Sequence, residues 1–339
     1  MRYDFLILSL VSCTTNGVPL ASNDAATPAG GGVEASSSDA TPVDGASTTN
    51  ETWSLTSFSV GKKADNDLSQ GSIYMPDVLR LADGRLRMYY LHGNSEGDEV
   101  KVAESSDSGS SWTVKGTCIK GSSVKTDRTF RQGGPSVVAL ADGRYRMYLR
   151  ASEDSVNSTP KFHVVSAISS DGLTFTAEAG VRIEIVSQDP NSTFSLAGHG
   201  RYYTTADGKY AGIFSGNLTT DLGASDLHLA ISADGLTWGG YETLYADYHD
   251  PVVIKVNGAY VMYAMYLKDW VARFDSPDGV TWPTQPTAKL TLEENGTAIP
   301  LANVGDFAAV VLGDGSVQLF SNYAATPPSV DIVRYLKKP

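Results

Sequence analysis

One short unit recurs five times along the 339-residue chain and limits what the chain can become. In its clearest copy, Tyr248-His249-Asp250-Pro251-Val252-Val253-Ile254 is an apolar strand with a polar entry, Asn257-Gly258 is a tight turn, and Ala259-Tyr260-Val261-Met262-Tyr263 is a second apolar strand. Asn-Gly favours a two-residue hairpin turn, because both central residues take φ > 0. The other copies run from Met75-Pro76-Asp77-Val78 through Asp83-Gly84, and from Gly134-Pro135-Ser136-Val137 through Asp142-Gly143. They continue from Gly198-His199-Gly200-Arg201 through Asp207-Gly208, and from Gly305-Asp306-Phe307-Ala308 through Asp314-Gly315. The turns are 59, 65, 50 and 57 residues apart. A period of that size built from hairpins predicts an all-β propeller of five blades.

A second element falls between those turns. It reads Ser106-Asp107-Ser108-Gly109-Ser110-Ser111-Trp112, Ser170-Asp171-Gly172-Leu173-Thr174-Phe175, Ala233-Asp234-Gly235-Leu236-Thr237-Trp238 and Pro277-Asp278-Gly279-Val280-Thr281-Trp282. These stretches resemble the Asp-box of sialidases and other carbohydrate-active propellers. The resemblance implies that the Asp caps the turn between the third and fourth strands of a blade, and that the aromatic packs between strands. The fifth copy has no such box, and the chain ends soon after Val330–Leu336. That blade therefore lacks a fourth strand, while Trp53–Val60 alternates with period two and has no blade. Pairing the two closes the ring and removes exposed edges.

The chain before residue 51 reads differently. Leu6–Ser12 is a short apolar run ending at Cys13, and it resembles the lipobox of bacterial lipoprotein signal peptides, which implies acylation of Cys13. An ordinary or truncated signal peptide is the alternative. Residues 14–50 are rich in Ser, Thr, Ala, Gly and Asp and nearly free of large apolar side chains, which predicts a disordered tether. The propeller is expected over 51–339, held at the bacterial cell envelope by lipid or secreted. The net charge of −12 carries no basic runs and argues against nucleic acid as a partner. A membrane contact is expected only through the N-terminal lipid, and the chain is expected to be a monomer.

In a propeller, first strands line the central channel. Their entries, with the exits of second strands, gather on one face. Tyr74, Asp77, Arg131, Gln132, His199, Arg201, Tyr248, His249, Asp250 and Asp306 come from strand entries; Glu153 and Trp270 come from exits. Asp77, Asp250 and Asp306 are read as occupying corresponding positions. His249-Asp250-Pro251 and Met75-Pro76-Asp77-Val78 resemble the first-strand motifs of family 43 glycoside hydrolases and of the arabinanase, levansucrase and invertase superfamily. The resemblance implies five blades, a carbohydrate substrate, and catalysis by Asp250 and Asp77, with a Glu as general acid. Those enzymes place the Glu before a Gly-Pro or Ala-Pro pair, where this chain has Gln132-Gly133-Gly134-Pro135. Glu153, Glu96 or Asp306 then remain as acids, and a glycan-binding propeller without catalysis is the alternative. Arg131, Gln132, His199, Arg201 and His249 are expected to contact substrate, with hydrogen bonds in the channel as the alternative for the histidines and salt bridges to its aspartates for the arginines. Tyr74, Tyr248 and Trp270 are read either as sugar platforms or as packing residues. No zinc or EF-hand motif occurs. No cofactor is expected, although Asp and His around the channel are compatible with a cation.

Overall fold

The structure, a computed structural model, describes residues 49–60, 72–94, 97–121, 132–152, 162–184, 196–217, 226–267, 269–326 and 329–338. It is all-β, as the repeat requires. The first strand, β1 (Thr49–Val60), belongs to the last sheet. One meander comprises β2 (Ser72–Arg80), β3 (Leu86–Asn94), β4 (Gly97–Ser105) and β5 (Thr113–Lys120). A second has β6 (Gln132–Ala139), β7 (Tyr145–Ser152) and β8 (Phe162–Ser169), edged by the short β9 (Thr176–Ala177) and β10 (Ile183–Glu184). The third is β11 (Leu196–Thr204), β12 (Tyr210–Asn217), β13 (Asp226–Ser232) and β14 (Trp238–Tyr245). In the fourth, β15 (Tyr248–Val256), β16 (Ala259–Tyr266), β17 (Trp270–Ser276) and β18 (Ala288–Glu294) are followed by the two-residue β19 (Thr297–Ala298). The fifth is β20 (Val304–Val311), β21 (Val317–Thr326) and β22 (Ser329–Lys337), completed by β1.

The innermost strands close a ring: β2 packs on β6, β6 on β11, β11 on β15, β15 on β20, and β20 on β2. Burial follows the same plan. Among the described residues, most buried hydrophobic side chains fall into five clusters, each built from two neighbouring sheets. Phe307, Leu319 and Tyr335 of the fifth sheet, for example, pack with Val252, Met265 and Val271 of the fourth. Each sheet thus buries both faces, which is why its strands are apolar on both sides of the period-two alternation.

Closure runs through β1. It pairs antiparallel with β22, from Trp53↔Lys337 to Val60↔Ile332. It also pairs parallel with β18, from Thr49↔Ala288 to Ser54↔Glu293. Because of this second pairing the strand begins at Thr49, inside the stretch expected to be tether. Trp53 is fully buried, lies edge-on to Tyr263 at 5.9 Å, and its indole N–H donates to Glu51 Oε2 at 3.3 Å. Glu51 Oε1 meets Arg273 Nη1 at 2.6 Å and Lys337 Nζ at 2.8 Å, joining the fourth sheet to the fifth. Trp53→Ala is expected to cost about 3–5 kcal/mol in chemical denaturation, through lost burial and a residual cavity. A cost below about 1 kcal/mol would mean that β1 does not close the ring.

Hairpin turns follow the sequence. Asn257 and Gly258 both have positive φ, 50° and 89°. At the Asp-Gly turns only the glycine does, as at Gly84 with φ 88°, and the aspartate caps the loop, Asp83 Oδ1 accepting the Arg85 N–H at 3.0 Å. The four turns between third and fourth strands share one hydrogen-bond scheme. Asp234 Oδ1 accepts the N–H groups of Leu236 and Thr237 at 2.8 and 2.7 Å, and Asp278 does the same for Val280 and Thr281. Each turn also docks on the preceding sheet: Arg146 Nη1 donates to Asp234 O at 2.9 Å and Tyr148 Oη to Gly235 O at 2.8 Å.

These turns make stability acid-sensitive. The Thr237 and Leu236 N–H groups hold the Asp234 carboxyl at about 2, against an ordinary 3.8, and Thr281 and Val280 do so for Asp278. A carboxyl depressed in the folded state contributes stability above its unfolded pKa and loses it as pH falls towards the folded value. Urea midpoints are therefore expected to fall between about pH 4 and pH 2, and Asp234→Ala to flatten that dependence. Equal slopes in the two proteins would contradict the assignment.

Candidate functional site

The first strand of every sheet breaks register at the same place. The breaks lie between Tyr74 and Asp77, Gly133 and Ser136, Ala197 and Gly200, His249 and Val252, and Gly305 and Ala308. Two residues bulge at each break. The first of them has positive φ at Met75 (54°), Gly134 (54°), Asp250 (52°) and Asp306 (48°). For a residue with a side chain this conformation costs about 1–2 kcal/mol, and such strain clusters at functional sites. The second bulge residue is Pro76, Pro135, His199, Pro251 or Phe307.

This register corrects the sequence reading of Asp77. Asp250 and Asp306 correspond to each other and to Met75. Asp77 corresponds instead to Val252 and Ala308, two residues further along the strand. Asp77 is 7% exposed, its Oδ2 accepts the Val137 N–H at 2.6 Å, and Oδ1 is 3.8 Å from Arg201 Nε. Burial raises its carboxyl above the ordinary range, with Arg201 and the Val137 N–H pulling the other way.

Four of the expected residues meet. His199 Nδ1 lies 2.8 Å from Asp306 Oδ1. Asp250 Oδ2 lies 3.1 Å from His249 Nδ1 and accepts the Asp306 N–H at 3.2 Å. The Asp250 N–H donates to Ser215 Oγ at 3.2 Å. His249 and Asp250 keep 18% and 20% of their side-chain surface exposed, whereas His199 is buried. Burial alone would raise the Asp250 carboxyl. The charge and hydrogen bond of His249, the charge of His199 and the Asp306 N–H outweigh it and hold the group well below the usual carboxylate range. Gly134 leaves room for this arrangement, since a Cβ there would stand 2.8 Å from His199 Cδ2.

Arg201 has a different part from the one expected. Its side chain is 3% exposed, and its donors go to backbone carbonyls. Nη1 donates to Pro135 O at 3.0 Å, and Nη2 to Phe307 O at 2.5 Å and to Pro76 O. All three carbonyls belong to second bulge residues, so one guanidinium ties three sheets to its own. Arg201 is therefore a tie between sheets and not a sugar contact. For the aromatic residues the structure shows the packing alternative. Tyr248 is packed against Tyr245, Tyr266, Trp270 and Phe274, with ring centroids 5.0–5.9 Å away. Trp270 has Tyr266 at 5.3 Å and Lys289 Nζ at 4.4 Å from its ring. Tyr74 packs on the cluster between the first two sheets. Arg131, Glu153, Glu96, Cys13 and the Gln132 side chain lie outside the described residues.

Two more residues take part. Asn322 Nδ2 donates to Asp306 Oδ2, and Asn322 Oδ1 accepts the Met75 N–H at 2.9 Å. Met75 Sδ in turn accepts the Gly134 N–H at 3.0 Å. A Met or Gly at the start of a bulge carries no chemical signal of its own, and only the repeat alignment would have shown it. His199, Asp250 and Asp306 each offer a ligand atom, all within 4.8 Å of one another. That donor set suits a divalent cation. His199 Nδ1 and Asp306 Oδ1 bond to each other, while His199 Nε2 is buried without a hydrogen-bond partner.

No family model and no curated protein matches the sequence. Solved structures match in fold. A family 117 glycoside hydrolase from the marine bacterium Zobellia galactanivorans superposes with a TM-score of 0.62 at 17% identity, covering 85% of this chain and 90% of its own. A family 43 β-1,3-galactosidase, solved with galactodeoxynojirimycin, gives 0.59 at 14% identity, with coverage of 79% and 90%. The endo-arabinase of Bacteroides thetaiotaomicron gives 0.53 at 13% identity, with coverage of 83% and 97%. The structural neighbours are thus glycoside hydrolases on a propeller-type fold, and at these identities the likeness is one of fold.

Proposed function

We propose that the protein hydrolyses glycosidic bonds at the mouth of the central channel, with Asp250 as the carboxylate that activates water or attacks the anomeric carbon. The observation that carries this reading is the state of Asp250. It is partly exposed, anchored through Oδ2 by His249 and the Asp306 N–H, and held by those partners below the usual carboxylate range. A carboxylate held in this way suits the base or nucleophile of glycoside hydrolysis better than the acid. Asp306 has both oxygens engaged, by His199 and Asn322, and serves as the fixed charge beside it. Glu153 is our candidate for the proton donor. Asp77 and Arg201 are left outside the chemistry.

The neighbours' names favour a polysaccharide or its oligosaccharides as substrate. A screen of aryl glycosides and plant and algal polysaccharides for released reducing ends tests this. Turnover lost on replacing Asp250 supports the assignment, and turnover unaffected by that replacement sinks it. A second reading, capture of glycan without cleavage, is favoured by one observation: Gly133, and not a Glu, precedes the Gly134-Pro135 pair. The accompanying location is the cell envelope, through a lipid on Cys13. Cys13→Ser moving the protein out of the membrane fraction would support it, and unchanged membrane association would oppose it.

A further inference from the structure

Asn322 sits on β21 directly across from Gly305, at the edge of the bulge that carries Asp306. It is 9% exposed, and its carboxamide makes two bonds in different directions. Oδ1 accepts the backbone N–H of Met75, from the neighbouring sheet, at 2.9 Å. That bond settles which way the amide faces, because a backbone N–H must meet the oxygen. The NH2 end is thereby turned to Asp306 Oδ2. The other Asp306 oxygen is held by His199 at 2.8 Å. With both oxygens engaged, the Asp306 carboxylate has no freedom to rotate towards Asp250, while its own N–H holds Asp250 Oδ2.

We propose that Asn322 is a positioning residue: its carboxamide, aligned by the Met75 N–H, fixes the Asp306 carboxylate in the orientation that leaves Asp250 free to act. The kinetic part of this inference rests on the glycosidase reading; the structural part does not. A merely structural Asn322 would only join the first sheet to the fifth through Met75. The two roles separate in Asn322→Asp. That variant keeps an oxygen for the Met75 N–H but sets an oxygen, not a donor, against Asp306. The charged and titratable groups around Asp306 are His199 and Arg201 on β11, and Asp250 with His249 on β15. A second carboxylate among them makes the pair share a proton.

The test compares wild type, Asn322→Asp and Asn322→Leu. For Asn322→Asp we expect kcat to fall about 100-fold with KM little changed, since a misplaced charge costs roughly that much. The acid limb of the kcat–pH profile should move up by about one unit, with the melting temperature within a few degrees of wild type. Asn322→Leu, which loses both bonds, should lose activity and stability together. A wild-type kcat and pH profile in Asn322→Asp overturns the proposal. Should wild type turn over no glycoside at all, the functional reading falls, and backbone amide NMR at one fixed pH decides on Asn322 alone. The Asp306 N–H, which holds Asp250 Oδ2, is then expected to shift in Asn322→Asp relative to wild type, and an unchanged Asp306 resonance overturns the proposal.

Discussion

Asp250→Asn is expected to lower kcat about 10⁴-fold while leaving the fold in place, the upper range for removing a positioned acid–base group. The substitution is close to a pure charge deletion. Asparagine tolerates the left-handed backbone that Asp250 holds at φ 52°, so it adds little strain. Its carbonyl oxygen can still accept the Asp306 N–H that Asp250 Oδ2 accepts at 3.2 Å. What disappears is the carboxylate charge, whose pKa His249 and His199 pull down against burial. Asp250→Ala would confound the result, because alanine at this φ adds about 1–2 kcal/mol of strain. Steady-state kinetics beside a thermal melt would check the expectation. A variant within tenfold of wild type removes Asp250 from the chemistry.

Arg201→Met is expected to cost about 3–5 kcal/mol, the usual penalty for breaking a buried ion pair from one side. Three carbonyls, of Pro76, Pro135 and Phe307, lose their donor, and the Asp77 carboxylate is left buried without its cation. Burial lowers the Arg201 pKa, and Asp77, Asp306 and Asp250 offset that cost of holding its charge inside the fold. The double variant Arg201→Met with Asp77→Leu should recover part of the loss, since an apolar pair can replace a buried ionic one. Urea denaturation of the single and double variants measures this. A single-variant loss below about 1 kcal/mol, or no recovery in the double, contradicts the view of Arg201 as the tie between three sheets and its own.

The architecture was legible because its signals are local. Asn257-Gly258 and the Asp-capped turns fix their own geometry within a few residues, and five copies made the ring countable. The unpaired strand around Trp53 found its place by elimination. Its parallel pairing with β18 had no such signal, because residues 49–52 are polar and resemble the tether before them. The site was half legible. Placing strand entries on one face brought out Asp250, Asp306, His199 and His249, which do meet. Asp77 was misplaced because a bulge slips the strand by residues that no period-two pattern reveals. Arg201 was misread for a related reason: its partners are backbone carbonyls from three sheets, which leave no trace as residue types. Tyr248 and Trp270 look like sugar platforms as single residues, and only the surrounding rings show that they are packed.

The central claim is that a glycan placed at the bulge ring is cut, and the most direct measurement is proton NMR of its anomeric region during incubation with the protein. New reducing-end signals are expected to grow with time in the presence of wild type and to be absent with Asp250→Asn. A glycan that binds, by line broadening, yet shows no new anomeric signal after prolonged incubation would contradict it and leave capture without cleavage in its place.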